Sequence, residues 1–169
     1  MLAQELLISM NACEAAIDWV ADKTPEEAWA TCPRGDWMLW LYAKRHPKNI
    51  KELTLAKGHC ANTVRNLMED PRSIAAVDAA IAFGEGCINK QQLKDAADAA
   101  TAATYTAAAA TYAAAYAAAY AAAYAADVAD AAAYAAAYAA DAAADTDAGA
   151  AKIKNQQETA DICRRYLTL

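Results

Sequence analysis

The sequence predicts an all-α fold, a multi-helix bundle that contains a long Ala/Tyr-rich helix or helical hairpin. Three observations support this class. Helix-start signals recur along the chain, at Thr24, Asp36, Asp70 and Asn89. Apolar residues repeat at spacings of three and four along the predicted helices. No β-branched run and no Asn-Gly turn marks a strand or a hairpin.

The 169 residues fit a single helical domain, with N-terminal helices at 1–88, an Ala/Tyr-rich segment at 89–148 and a C-terminal helix at 150–169. Tyr and Asp interrupt the alanines, so we expect no membrane-spanning segment. The first residues lack the basic region of a secretory signal. The five cysteines are an odd number with no Cys-x-x-Cys pair, which is typical of reduced thiols in a cytoplasmic protein.

The first predicted helix runs from about Ala3 to Asp22. Its apolar face has residues at spacings of three and four, namely Leu6, Met10, Cys13, Ile17 and Val20. Thr24-Pro25-Glu26-Glu27 then starts a short helix, because threonine caps it, proline suits its first position and Glu27 completes a capping box. This helix carries Trp29 and ends near Cys32.

Three further helices complete the N-terminal half. Asp36 is expected to cap a helix at 37–45, which ends before Pro47. Asn49 opens a helix that continues to about Met68. Asp70-Pro71 starts another helix, which ends at Gly84-Glu85-Gly86.

The segment from Asn89 to Asp147 contains no Gly or Pro, and from Asp95 onward it carries seven Asp and no Lys or Arg. As one straight helix, its roughly 58 residues would be about 87 Å long, too long for a compact domain of this size. The segment therefore either bends near Asp127–Asp130 or projects as an arm, which would favour a homo-oligomer. A final helix at about 151–167 is expected to have one apolar face, formed by Ile153, Ala160, Cys163 and Leu167.

The tyrosines of this segment share one helical side with most of its aspartates, opposite a nearly pure alanine side. They either fill the core, line a groove for a protein partner, or stack on a planar molecule such as a nucleotide base. The acidic charge argues against nucleic acid as a partner. The tyrosines predicted to bind are Tyr116, Tyr120, Tyr124, Tyr134 and Tyr138.

A second group of candidate binding residues lies between Cys32 and Leu41. Trp37 and Trp40 are three residues apart and share a helical face, which fits a place in the core. Arg34, Asp36 and Trp37 also lie where a loop meets a helix, and binding residues concentrate at such places. Further polar candidates, if the fold brings them near, are Lys57, His59, Arg65 and Arg72.

No pattern indicates catalysis or a metal centre. His59 adjoins Cys60, so on a helix their side chains point about 100° apart and do not pair as base and nucleophile. The chain contains no His-Glu-x-x-His motif, no phosphate-binding glycine loop and no cluster with metal-ligand spacing. We therefore expect a protein without enzymatic activity, cofactor or metal.

One resemblance covers nearly the whole chain. It rests on Trp29, the run Cys32-Pro33-Arg34-Gly35-Asp36-Trp37, then Cys60-Ala61, Asp70-Pro71-Arg72, Gly86 and the Ala/Tyr tracts. This order resembles a family of immunity proteins from bacterial toxin systems, with similar proteins in phage genomes.

The resemblance implies that this protein neutralises a partner or signal molecule by binding it in a microbial conflict. It would act as an immunity protein or as a phage counter-defence protein. The partner would be a protein toxin, a host factor or a small nucleotide-like signal molecule, and neither nucleic acid nor a membrane. The alternative is a structural or assembly protein that uses the Ala-rich helices for packing.

Overall fold

The computed structural model describes residues 2–68, 70–104 and 148–168, and these residues form eight α-helices and no strand. The all-α prediction is confirmed. The helices are α1 (Ala3–Ser9), α2 (Glu14–Val20), α3 (Pro25–Thr31), α4 (Gly35–Arg45), α5 (Ile50–Asn62), α6 (Pro71–Gly84), α7 (Lys90–Thr104) and α8 (Ala148–Tyr166).

Capping hydrogen bonds are present at the start of several of these helices, as the sequence predicted. The Thr24 hydroxyl accepts from the Glu27 main-chain N–H at 3.2 Å, and the Glu27 carboxylate accepts from the Thr24 N–H at 2.9 Å. Asn89 and Gln92 form the same reciprocal pair at the head of α7. The Asp70 carboxylate accepts from the main-chain N–H of Arg72 at 2.8 Å. Each bond satisfies a donor that the first helical turn leaves unpaired.

The larger apolar core lies among α4, α5, α6, α7 and α8. In the described part of the chain, α5 packs on α6, α6 on α7, and α8 on both α4 and α5. Among its largest fully buried side chains are Met38, Leu39 and Tyr42 of α4, together with Leu93 and Leu167. The C-terminal helix is therefore a central element of this core.

A smaller cluster joins the three N-terminal helices to α4. Its buried members are mostly small, namely Ala3, Leu7, Ala16, Val20 and Ala28. Partly buried tryptophans and Leu41 pack around them. Each of α1, α2 and α3 is only seven residues long, so this layer is assembled from short pieces.

The single helix predicted from Ala3 to Asp22 is wrong, because the structure divides it into α1 and α2. Asn11 adopts a positive φ of 55°, and the Ala12 N–H donates to the Leu7 carbonyl at 3.0 Å. Asparagine tolerates this left-handed conformation better than most residues. The turn allows α2 to pack on α1.

Three other sequence predictions need correction. Helix α5 ends at Asn62 rather than near Met68, and a short 3-10 turn follows at Arg65–Leu67. Asp36 does not cap α4, since the helix begins at Gly35 and the Asp36 carboxylate binds the Arg34 side chain instead. Ile153 was expected on the apolar face of the C-terminal helix, but it is 57% exposed.

The inner face of α8 near Ile153 is polar. Asn155 and Thr159 are buried there, and the Asn155 amide donates to the Thr63 hydroxyl at 2.8 Å. Ala160, Cys163 and Leu167 are buried, as predicted.

The sequence left open whether the Ala/Tyr-rich segment forms one long helix or a hairpin. The residues that would distinguish the two, 105–147, lie outside the described ranges. No helix within the described ranges is long and apolar enough to cross a membrane.

Candidate ligand-binding site

A cavity of about 390 Å³ lies between the three N-terminal helices and α4. Its walls are mainly apolar, and all four tryptophans of the chain contribute to them: Trp19, Trp29, Trp37 and Trp40. The volume falls in the range of pockets that hold small organic molecules. We refer to this space as the tryptophan cavity.

Three helices supply the indole rings. Trp19 belongs to α2, Trp29 to α3, and Trp37 and Trp40 lie about one turn apart on α4. The rings of Trp19 and Trp37 have their centroids 6.2 Å apart and are tilted by 55°. All four side chains are half-buried. The rings are therefore held by packing while part of their surface stays accessible.

An ion pair between Arg34 and Asp36 supplies the charged groups of the cavity wall. Arg34 Nε donates to Asp36 Oδ1 at 2.8 Å, and Arg34 Nη2 donates to Asp36 Oδ2. Asp36 is only 8% exposed, so its charge needs this partner. The hydrogen bond to Asp36 is the main cause that raises the pKa of Arg34.

The Arg34 guanidinium also lies over an aromatic ring, with its central carbon 4.8 Å from the centroid of Trp37. Asp36 therefore binds one edge of the guanidinium while the Trp37 ring lies beside it. A planar guanidinium suits both interactions, so Arg34 is oriented before any ligand arrives.

Two lysines lie over other rings of the cavity wall. Lys23 Nζ is 4.6 Å from the centroid of Trp19 and donates to the Trp19 carbonyl at 2.9 Å. Lys44 Nζ is 5.9 Å from the centroid of Trp40. Including Arg34, the chain's own cations thus contact three of the four indole rings.

The C-terminal helix supports the cavity wall from behind. Arg164 Nη1 donates to the carbonyl of Cys32 at 2.9 Å and to that of Trp29 at 3.3 Å. Its Nη2 donates to Asp161 Oδ1 at 2.7 Å. Arg164 thus satisfies main-chain acceptors at the end of α3 and orients the connection that leads to Arg34.

Two thiols line the cavity, and the structure activates neither of them. Cys13 is exposed at the start of α2, and no histidine lies beside it in the described wall. Cys32 is buried, and its Sγ donates to the Arg34 carbonyl at 3.4 Å. Burial is the main cause that raises the pKa of Cys32, which keeps the thiol protonated at neutral pH. The described residues that line the cavity include no histidine to act as a base. No group of His, Cys, Asp or Glu in the described ranges is arranged to hold a metal ion.

The structure brings together Arg34, Asp36 and Trp37, the second predicted binding group, in the wall of one cavity. The first predicted group, which comprises Tyr116, Tyr120, Tyr124, Tyr134 and Tyr138, lies outside the described ranges.

The additional polar candidates do not line this cavity. Arg65 pairs with Asp78 at 2.5 Å, and Arg72 pairs with Asp70 at 2.9 Å. The His59 ring stacks on Tyr166 with a centroid distance of 4.3 Å. Lys57 is buried in α5. These four residues therefore do not join Arg34 in the wall of the cavity.

Sequence reasoning missed Trp19, Trp29 and Arg164 as parts of the site. One signal was available, because every tryptophan of the chain falls between positions 19 and 40. Nothing local marks Arg164, whose role depends on how α8 packs against α4.

The fold and the cavity together define an all-α protein with an aromatic-walled cavity. In comparisons with known proteins, no family model, no curated protein and no solved structure matches the chain. The resemblance to immunity proteins remains a hypothesis.

Proposed function

We propose that this protein is a non-enzymatic binding protein that sequesters its ligand in the tryptophan cavity. The single observation that carries the proposal is that all four tryptophans, together with the oriented Arg34, line one space of about 390 Å³. In the proposed cytoplasmic setting, sequestration serves the immunity-type or phage counter-defence role that the resemblance implies.

The aromatic walls offer a large part of the binding energy that this task needs. A ring stacked on one aromatic side chain contributes about 1–3 kcal/mol, so two or three such contacts contribute about 2–9 kcal/mol. A Kd of 1 μM corresponds to about 8 kcal/mol of net free energy. The apolar area that the ligand buries adds to the stacking contacts and offsets the entropic cost of association.

The polar groups of the wall favour binding over catalysis. The Asp36 carboxylate is bound by Arg34, and the Cys32 thiol is protonated and donates to a main-chain carbonyl. A general base needs an available lone pair near the reacting atom, and a nucleophile needs activation by such a base. The described wall residues supply neither.

Titration with N-phenyl-1-naphthylamine, a neutral dye whose emission rises in apolar surroundings, tests the proposal. We expect saturable binding of one dye per chain, with energy transfer from tryptophan. Ala12→Trp places an indole in the cavity wall and should abolish binding, whereas Ala30→Trp on the exposed side of α3 is the matched control. Thermal melting checks that both variants fold. Absence of saturable binding to the wild-type chain contradicts the proposal.

The biological role needs a separate test. We propose that the toxic partner is encoded near this chain. A neighbouring gene whose product arrests growth is therefore coexpressed with the chain. Protection by the wild type and by Ala30→Trp, but not by Ala12→Trp, supports sequestration through the cavity. Protection that survives Ala12→Trp places the working surface elsewhere, and the tyrosines between Tyr116 and Tyr138 are then the residues to substitute.

We also propose a homo-oligomer built on the Ala-rich segment, as its length suggests. Light scattering at micromolar concentration measures the mass directly. A monomer mass rejects this part of the proposal and favours the hairpin.

A further inference from the structure

Resting on the proposed function, we propose that the tryptophan cavity takes an uncharged, planar aromatic ligand whose carbonyl-type oxygen accepts hydrogen bonds from the outer edge of the Arg34 guanidinium. Three features lead to this ligand class: a wall whose acidic group is already paired with Arg34, the acidic charge of the surrounding helices, and the unused donors of Arg34.

The charged groups of the wall argue against a cationic ligand. An aromatic cage for an ammonium group needs accessible ring faces. Lys23 lies over Trp19, Arg34 over Trp37 and Lys44 over Trp40, so one face of each of these rings already has a cation. The buried carboxylate of Asp36, the wall's acidic group, is already bound by Arg34. A ligand cation would meet the charge of Arg34 and no unpaired carboxylate in the described wall.

The helices around the cavity argue against an anionic ligand. Arg34 is neutralised by Asp36, so the pair attracts anions weakly. The helices α1 to α3 and their connections carry one basic residue, Lys23, whereas their acidic residues, exposed in the structure, are Glu5, Glu14, Asp18, Asp22, Glu26 and Glu27. The field at this side of the cavity is therefore negative and repels an incoming anion.

Arg34 nonetheless offers hydrogen-bond donors to a neutral acceptor. A guanidinium has two edges that each present a pair of N–H groups. Asp36 binds the Nε–Nη2 edge, while Nη1 has no hydrogen-bond partner within the described ranges. The side chain is 31% exposed and belongs to the cavity wall. A carbonyl oxygen at the Nη1–Nη2 edge would satisfy these donors without adding charge.

The shape of the wall fits a flat body. The rings of Trp19 and Trp37 are tilted by 55°, with their centroids 6.2 Å apart. Trp37 also contacts the Arg34 guanidinium. An aromatic ring lodged against these indoles can direct a substituent on its edge toward Arg34. The hydrogen bond to a charged donor then adds about tenfold or more to the affinity.

Competition against bound N-phenyl-1-naphthylamine tests this ligand class with four probes that share one ring system. They are 1-naphthaleneacetamide, 1-methylnaphthalene, 1-naphthaleneacetate and 1-naphthylmethylammonium. We expect the neutral amide to displace the dye at a concentration about tenfold lower than any of the other three. The methyl compound lacks the acceptor, and the last two carry opposite charges.

Arg34 variants test the hydrogen bond itself. In Arg34→Met the amide should lose its advantage over 1-methylnaphthalene, and the same loss is expected in Arg34→Lys, which keeps the charge without the planar fork. Dye binding shows that each variant retains a folded cavity, and Arg34→Lys remains informative if Arg34→Met does not fold. Arg45→Met, an exposed arginine at the end of α4, is the matched control.

The outcomes separate this inference from the proposed function. If the dye binds but the amide shows no advantage, or the acetate or the ammonium probe competes best, the ligand class is wrong and the binding function stands. An amide advantage that persists in both Arg34 variants also overturns the inference. If the dye does not bind to the wild-type chain, the binding function fails and this inference fails with it.

Discussion

Gly35, at the start of α4, lies so close to Thr159 of α8 that a Cβ atom on residue 35 would come within 2.6 Å of the Thr159 carbonyl carbon. One turn further along α8, Cys163 Sγ donates to the Gly35 carbonyl at 3.5 Å. Gly35 stands between Arg34 and Asp36 in the chain. The packing of the C-terminal helix and the geometry of the cavity's ion pair are therefore linked.

Gly35→Ala should destabilise the protein although alanine is the better helix former by about 1 kcal/mol. The added methyl group would overlap main-chain atoms of Thr159, so α4 and α8 must separate. We expect a loss of about 1–3 kcal/mol in the free energy of unfolding, measured by urea denaturation. Thr159→Ala should not rescue it, because the carbonyl carbon remains in place. Full rescue by the double variant would show that the contact is less tight than described.

Arg164→Met should weaken both stability and dye binding. It leaves the carbonyls of Trp29 and Cys32 without their donor, and unsatisfied buried acceptors cost about 1–3 kcal/mol. The connection that carries Arg34 would lose its support, so the Kd for N-phenyl-1-naphthylamine should rise. Arg165→Met is the control, since Arg165 is exposed and contacts the Tyr166 ring. Equal effects of the two substitutions would remove Arg164 as a positioning residue.

Lys57 should make stability depend on pH. Burial lowers the pKa of Lys57 from 10.5 to about 7. Above pH 7 the unfolded chain therefore binds more protons than the folded chain, so the free energy of unfolding rises with pH. One such group contributes a slope of at most about 1.4 kcal/mol per pH unit.

Urea denaturation between pH 7 and pH 9 measures this slope. Lys57→Met should flatten it, whereas Lys48→Met, at an exposed position, should leave it unchanged. An unchanged slope in Lys57→Met would show that the lysine stays charged in the folded protein.

Ala21→Gly should stabilise the fold. Ala21, which follows α2, has a φ of 39° and a ψ of −119°, a conformation that is strained for a residue with a Cβ atom. Glycine relieves the strain but has more freedom in the unfolded chain, so the expected net gain is about 1 kcal/mol. Thermal melting measures it. Ala15→Gly, an exposed alanine inside α2, should instead lower the melting temperature.

Local interactions made much of the helical pattern predictable. The capping pairs at Thr24 and Asn89, and the cap at Asp70, involve residues two or three positions apart, so the sequence alone places them together. The same applies to the candidate site, because Arg34, Asp36 and Trp37 fall within four positions. The apolar period of three and four was less decisive. Either a continuous or a broken helix satisfies it, and the break at Asn11 depends on how α2 packs against α1.

The sequence by itself determined that this protein is helical, where several of its helices begin, and which short run, from Arg34 to Trp37, holds candidate binding residues. Only the tertiary structure decided that Trp19 and Trp29 turn toward that run and enclose a cavity with it. Arg164, more than a hundred positions along the chain, supports this wall through hydrogen bonds to two carbonyls. The reason is physical: capping and ion pairing act between near neighbours, whereas a cavity exists only after separate helices have packed and left space between them.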